Sequence, residues 1–144
     1  VAILARSMPA DRYFRLYCRV AAFLFAGFTV YPVITKLAEH RLAHDWAHSA
    51  LHLLFCLLAA YAGWAARDAR AARLFTGAVA VIYGVLGVIG WFVPGLLLGT
   101  PVAIPLDPVA NVFHLVLAVP ALVLVTRSVI GKVSGNQQSD LPTN

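Results

Sequence analysis

"LFTGAVAVIYGVLGVIGWFVPG", Leu74 to Gly95, runs for 22 residues without one charged side chain. Crossing a bilayer takes about 20 mostly apolar residues, so this stretch has the length and character of a transmembrane span. Working outward, three more such stretches fit. "VAAFLFAGFTVYPVIT" is the heart of the first, which runs from about Tyr13 to Leu37. "AHSALHLLFCLLAAYAGWAA", Ala47 to Ala66, is the second, and "VANVFHLVLAVPALVLV", Val109 to Val125, the fourth.

The bulk numbers agree. Of 144 residues 61% are hydrophobic and 12% charged, with a mean hydropathy of +0.82. A soluble domain of this size needs far more charge on its surface. The expectation is an all-α integral membrane four-helix bundle, with spans at about 13–37, 45–66, 73–95 and 108–130. Residues 1–132 then form one membrane domain, and 133–144 ("SGNQQSDLPTN" and the residue before it) a disordered polar tail with little to bury. The first apolar stretch is long and lacks a small-residue cleavage site, so it is expected to remain as a span and not to be removed as a signal peptide.

The net charge of +5 raises nucleic acid as a partner, but its distribution excludes it. Arg6, Arg12, Arg15 and Arg19 precede span one, Arg67, Arg70 and Arg73 separate spans two and three, and Arg127 and Lys132 follow span four. Only Lys36 and Arg41 fall on the other side. The positive-inside rule then predicts both termini in the cytoplasm. Cys18 and Cys56 fall at opposite ends of the membrane in that topology, as packing residues too far apart for a disulfide.

Sliding the chain by 62 residues aligns Leu24 with Leu86, Pro32 with Pro94, Asp45 with Asp107, His52 with His114, Leu53 with Leu115 and Ala59 with Ala121. Apolar identities mean little here, but Asp, His and Pro are scarce. The pattern predicts two tandem hairpins of the same orientation, a 2+2 repeat. Asp107 followed by Pro108 reads as a helix N-cap with proline at the first helical position, and Asp45 takes the matching place in the first hairpin.

Four of the five histidines fall in "EHRLAHDWAHSALH", Glu39 to His52. Four-residue spacing on a helix drifts by about 40° per step, so His40, His44, His48 and His52 would spread over roughly 120° and ~18 Å and cannot meet at one ion. With Asp45 as the cap, His40 and His44 belong to the outer loop and His48 to the helix mouth. His52 and His114 lie deeper, at matching depth, each with a small polar residue three positions earlier, Ser49 or Asn111. Intramembrane polar residues face the bundle interior and are hydrogen-bonded or functional. Three readings stay open for the pair: a hydrogen bond between hairpins, ligation of a haem iron or chlorophyll-type magnesium, or a proton or ion path. With His48 added, the set His48, His52 and His114 suits Zn or Cu(II).

Gly84, Gly87 and Gly90 recur every three residues, and with Gly77 and Ala80 they predict a smooth face for close helix packing. Pro32 and Pro94 fall toward the outer ends of spans one and three, Pro120 interrupts span four, and Trp46, Trp64, Trp91 and Tyr13 lie near span ends as an aromatic belt. The loop "PGLLLGTPVAIPLDP" is apolar enough to lie on the outer interface or against a partner. No HExxH, P-loop, GxSxG or CxxC motif occurs.

The segments "FTGAVAVIYGVLGVIGWFVPG … LDPVANVFHLVLAVPALV" and "DWAHSALHLLFCLLAAYAG" resemble a family of small bacterial four-helix membrane proteins without an established activity. Its typical core is an Asn-x-x-His-Leu-x-Leu-Gly run. Asn111, His114 and Leu115 carry the match, while Ala118 replaces the usual Gly and Ser49 replaces Asn in the first half. The resemblance, over about residues 13–130, implies the fold and little else; the expected location is a bacterial inner membrane or another energy-transducing membrane. The functional expectation is a non-catalytic accessory or structural subunit beside other membrane proteins. The alternatives are a tetrapyrrole- or metal-binding protein, or a small transporter.

Overall fold

The computed structural model of the protein describes residues 10–38, 46–100 and 103–139. It contains α1 (Ala10–Ala38), α2 (Trp46–Ala60) continued by a π-helical turn (Tyr61–Ala65), α3 (Arg70–Ile89), the short strands β1 (Gly95–Leu96) and β2 (Ile104–Pro105), and α4 (Pro108–Ser139). All four helices are long and apolar enough to cross a membrane, over Ala10–Val30, Ala47–Ala65, Arg70–Ile89 and Pro108–Gly131.

The burial pattern is inside out relative to a soluble bundle. Phe23 is 72% exposed, Leu74 64% and Val81 67%, while the core holds Ala21, Ala59, Ala72 and Ala121 around buried aromatic rings. In water, such an exterior would cost about 25 cal/mol for each Å² of apolar surface. Against lipid tails it costs nothing, and helices associate through close packing instead.

That packing is clearest between α3 and α4. A Cβ on Gly87 would fall 2.9 Å from Leu115 Cγ and 3.2 Å from His114 Cβ, and one on Gly90 would collide with Asn111 Oδ1. At Gly84 the nearest atom is Ala118 Cβ, at 3.8 Å. The contacts descend on α4 as they rise on α3, and Ala80 packs against the core. Gly77 does not join this face: a Cβ there would meet nothing within 4 Å. At 100° per residue, the ten positions from Gly77 to Gly87 leave Gly77 about 80° off the contact direction.

Arginines of α1 finish the end of α2. Arg15 Nη1 donates to Ala66 O (3.0 Å) and Arg19 Nε to Gly63 O (2.9 Å), which serves carbonyls that the helix end leaves without intrahelical donors. Arg73 forms an ion pair with Asp11 across the same end. Cys18 and Cys56 are both free; their thiols donate to Ala72 O (3.7 Å) and Ala22 O (3.3 Å).

The ends of α3 and α4 and the loop between them differ from the sequence expectation. The third helix ends at Ile89, short of 95, because Gly90 to Val93 form a turn and Pro94 has no N–H with which to continue. The apolar loop then folds on itself, and this adds a strand pair to an otherwise all-α chain: Gly95 pairs with Pro105 and Leu96 with Ile104. Glycine is required at 95, where a Cβ would lie 2.8 Å from Ile104 O and 3.1 Å from Pro105 Cα. Finally, α4 runs past residue 132 to Ser139, so the first part of the polar tail is helical. A helix satisfies its backbone internally and can extend beyond its apolar segment while good formers such as Gln137 and Gln138 follow.

Candidate metal site

The histidine site sits near the end of the bundle that carries β1 and β2. Asp107 Oδ1 accepts from Ala110 N–H (2.8 Å), so its carboxylate caps α4 and fixes where the helix begins. His114 follows Pro108 by six positions, about 9 Å of helix rise. His52 lies the same six positions after Trp46, the first residue of α2. Asp45, His40 and His44 lie outside the described residues.

The fold brings His48, His52 and His114 together. One ring nitrogen from each lies within 4.8 Å of the other two. The His48 and His52 rings are 4.4 Å apart, and His114 lies 6.4 and 6.5 Å from them, centroid to centroid. The i, i+4 pair on α2 supplies two donors and α4 the third. Tetrahedral Zn–N bonds of about 2.0–2.1 Å require donors roughly 3.3 Å apart, so binding an ion draws the nitrogens inward by at most ~1.5 Å. Small χ rotations of the imidazoles span that distance.

His52 and His114 are 5% and 1% exposed, yet His52 Nε2 and His114 Nδ1 have no hydrogen-bond partner. These are polar ring atoms buried at a cost of a few kcal/mol unless something occupies them. The anticipated hydrogen bond between the two hairpins does not use these atoms. Asn111, 1% exposed, likewise has an unpartnered Oδ1, held against Gly90, and Ser49 is buried one turn before His52.

Phe28 of α1 lies against His52, with ring centroids 6.3 Å apart. The Phe28 carbonyl has no intrahelical donor, because that donor would come from residue 32 and Pro32 has no N–H. A free carbonyl beside a ligating histidine is the kind of acceptor that orients its ring. Sequence inspection placed Pro32 only as a span marker. Its position four residues after Phe28 was the signal of a freed carbonyl.

An aromatic floor holds the rings. Phe25, fully buried, contacts His52, Tyr83 and Phe113 at 5.9, 5.3 and 5.8 Å. Phe28 stacks on Phe113 at 3.6 Å, and Tyr83 meets His114 edge-on at 5.1 Å. The adjoining cavity, about 260 Å³, is lined by all three histidines. That is below the roughly 300–1,000 Å³ of ordinary ligand pockets, and the aromatic rings fill the space a tetrapyrrole macrocycle would need around His52 and His114. The geometry favours a compact ion.

No family profile, characterised protein or solved structure matches the chain. The likeness noted at Asn111, His114 and Leu115 therefore rests on those residues alone.

Proposed function

We propose that this chain is a multi-pass membrane protein that holds one divalent metal ion, zinc foremost and copper(II) next, between His48, His52 and His114. The observation that carries this reading is the convergence of three imidazole nitrogens within 4.8 Å. His52 and His114 are buried, and each keeps one unpartnered ring nitrogen. Three nitrogen donors suit borderline ions, and three protein ligands with one position left over is the pattern of open zinc sites. In this reading the chain is two tandem hairpins with both termini cytoplasmic, in a bacterial inner membrane or another energy-transducing membrane. The basic residues and the 62-residue repeat support that arrangement. A plain accessory subunit would account for the apolar exterior but gives no role to three inward-facing imidazoles.

The test is metal analysis and Co(II) titration of the detergent-purified protein, with His52→Ala and His114→Ala beside the parent. One ion per chain is expected, with Co(II) d–d absorption in the parent and affinity reduced by more than about 100-fold in either variant, beyond the effect of losing an outer-shell partner. Purified protein without stoichiometric metal and without Co(II) absorption refutes the reading. A Soret band in the same spectrum would transfer the histidines to a tetrapyrrole.

A further inference from the structure

The three-histidine set leaves part of an ion's coordination sphere to another donor. Among the described residues, no fourth His, Cys, Asp or Glu joins the group. The cavity against the histidines is closed elsewhere by Leu51 and Phe55 of α2, Ile82, Tyr83 and Leu86 of α3, and Ile104 of β2. None of these is charged. Leu51 and Ile82 are 38% and 43% exposed on the lipid-facing surface of the bundle, and α2 and α3 touch each other little. The cavity therefore communicates with the hydrocarbon of the bilayer through the gap between these two helices, with the strand pair beside it.

We infer that the ion's remaining position faces this α2–α3 cavity and takes a small, uncharged, membrane-soluble molecule with a single lone-pair donor atom. The inference rests on the metal reading above. Size follows from volume: about 260 Å³ divided by the ~30 Å³ that one water occupies gives room for roughly eight or nine non-hydrogen atoms. Charge follows from the lining, because an ion reaching the site through hydrocarbon would leave its hydration behind with no opposite charge among these six side chains to replace it. The donor atom follows from the metal, because among the described walls Tyr83 alone carries a polar group, a hydroxyl that could add one hydrogen bond.

The test uses the Co(II)-loaded full chain in nanodiscs, with 4-ethylpyridine as the neutral probe and pyridine-3-sulfonate as its charged counterpart. Each affinity is normalised to that probe's affinity for free Co(II). Binding of 4-ethylpyridine is expected to change the d–d spectrum, with a preference over the sulfonate of more than about tenfold. In Ile82→Trp, whose larger ring narrows the gap and adds no metal ligand, the Co(II) spectrum should stay as in the parent and the response to 4-ethylpyridine should be lost. Bound Co(II) that ignores 4-ethylpyridine, responds equally to both probes, or responds unchanged in Ile82→Trp overturns the inference and leaves the metal site standing. Failure to bind Co(II) at all removes the metal site, and the ligand with it.

Discussion

Gly87→Ala tests whether the glycine face of α3 sets the position of His114. The added Cβ would lie 2.9 Å from Leu115 Cγ and Cδ2 and 3.2 Å from His114 Cβ. Comfortable carbon–carbon contact is about 3.5–4.0 Å, so the shortfalls are roughly 0.6 and 0.3 Å. Leu115 can change rotamer, but His114 Cβ is fixed to the α4 backbone and moves only if α4 moves. Overpacking of this kind costs about 1–3 kcal/mol, against which alanine gains up to ~1 kcal/mol in helix propensity. Gly77→Ala is the internal control, since its Cβ meets nothing within 4 Å and the propensity gain stands alone. The difference between the two variants should therefore be about 1–3 kcal/mol. For a chain of this length that is a gap of roughly 2–12 °C between their thermal midpoints in detergent. The roughly 0.3 Å asked of His114 Cβ is within the displacement of about 0.5 Å that a metal constellation tolerates, so Co(II) affinity should stay close to the parent's in both variants. If Gly87→Ala melts with or above Gly77→Ala, the close approach of α3 and α4 does not constrain His114.

Two further outcomes are expected. Tyr17 Oη donates to Leu117 O at 2.9 Å, beside the break that Pro120 makes in the α4 ladder. Tyr17→Phe should cost about 0.5–1.5 kcal/mol by thermal unfolding, and as much in a Pro120→Ala background, because the N–H that the proline lacks would serve Val116 O and not Leu117 O; a cost that vanishes in that background would refute this assignment. Pro32→Ala restores an N–H to the Phe28 carbonyl and draws it away from His52. Metal affinity should drop by about 10- to 100-fold as the ring loses its orienting partner, and an unchanged Co(II) titration would show that the carbonyl does not hold it.

The four spans were legible because crossing a bilayer is a local demand on length and hydropathy. Leu74 to Gly95 meets it without reference to any other residue. The equal depth of His52 and His114 was legible for a similar reason, since each sits a fixed helical rise from a helix start. The end of α3 at Ile89 was less so: the apolar run continues past it, and only pairing of Gly95 and Leu96 with Ile104 and Pro105 offers those backbones another partner. Asp107 caps α4 through a bond written into adjacent residues, whereas the contact of His52 with Phe28 joins two helices.

By itself, then, the sequence determined which four segments are long and apolar enough to cross a membrane, and that His52 and His114 sit matching distances from their helix starts. Only the tertiary structure decided that His48 turns inward to join them and that Gly77 stands apart from Gly84, Gly87 and Gly90. Hydropathy is summed along one chain segment and fixes depth. The convergence of three nitrogens depends on how each helix is rotated about its axis, and that rotation is set by the faces that pack, here Gly87 and Gly90 against His114 and Asn111.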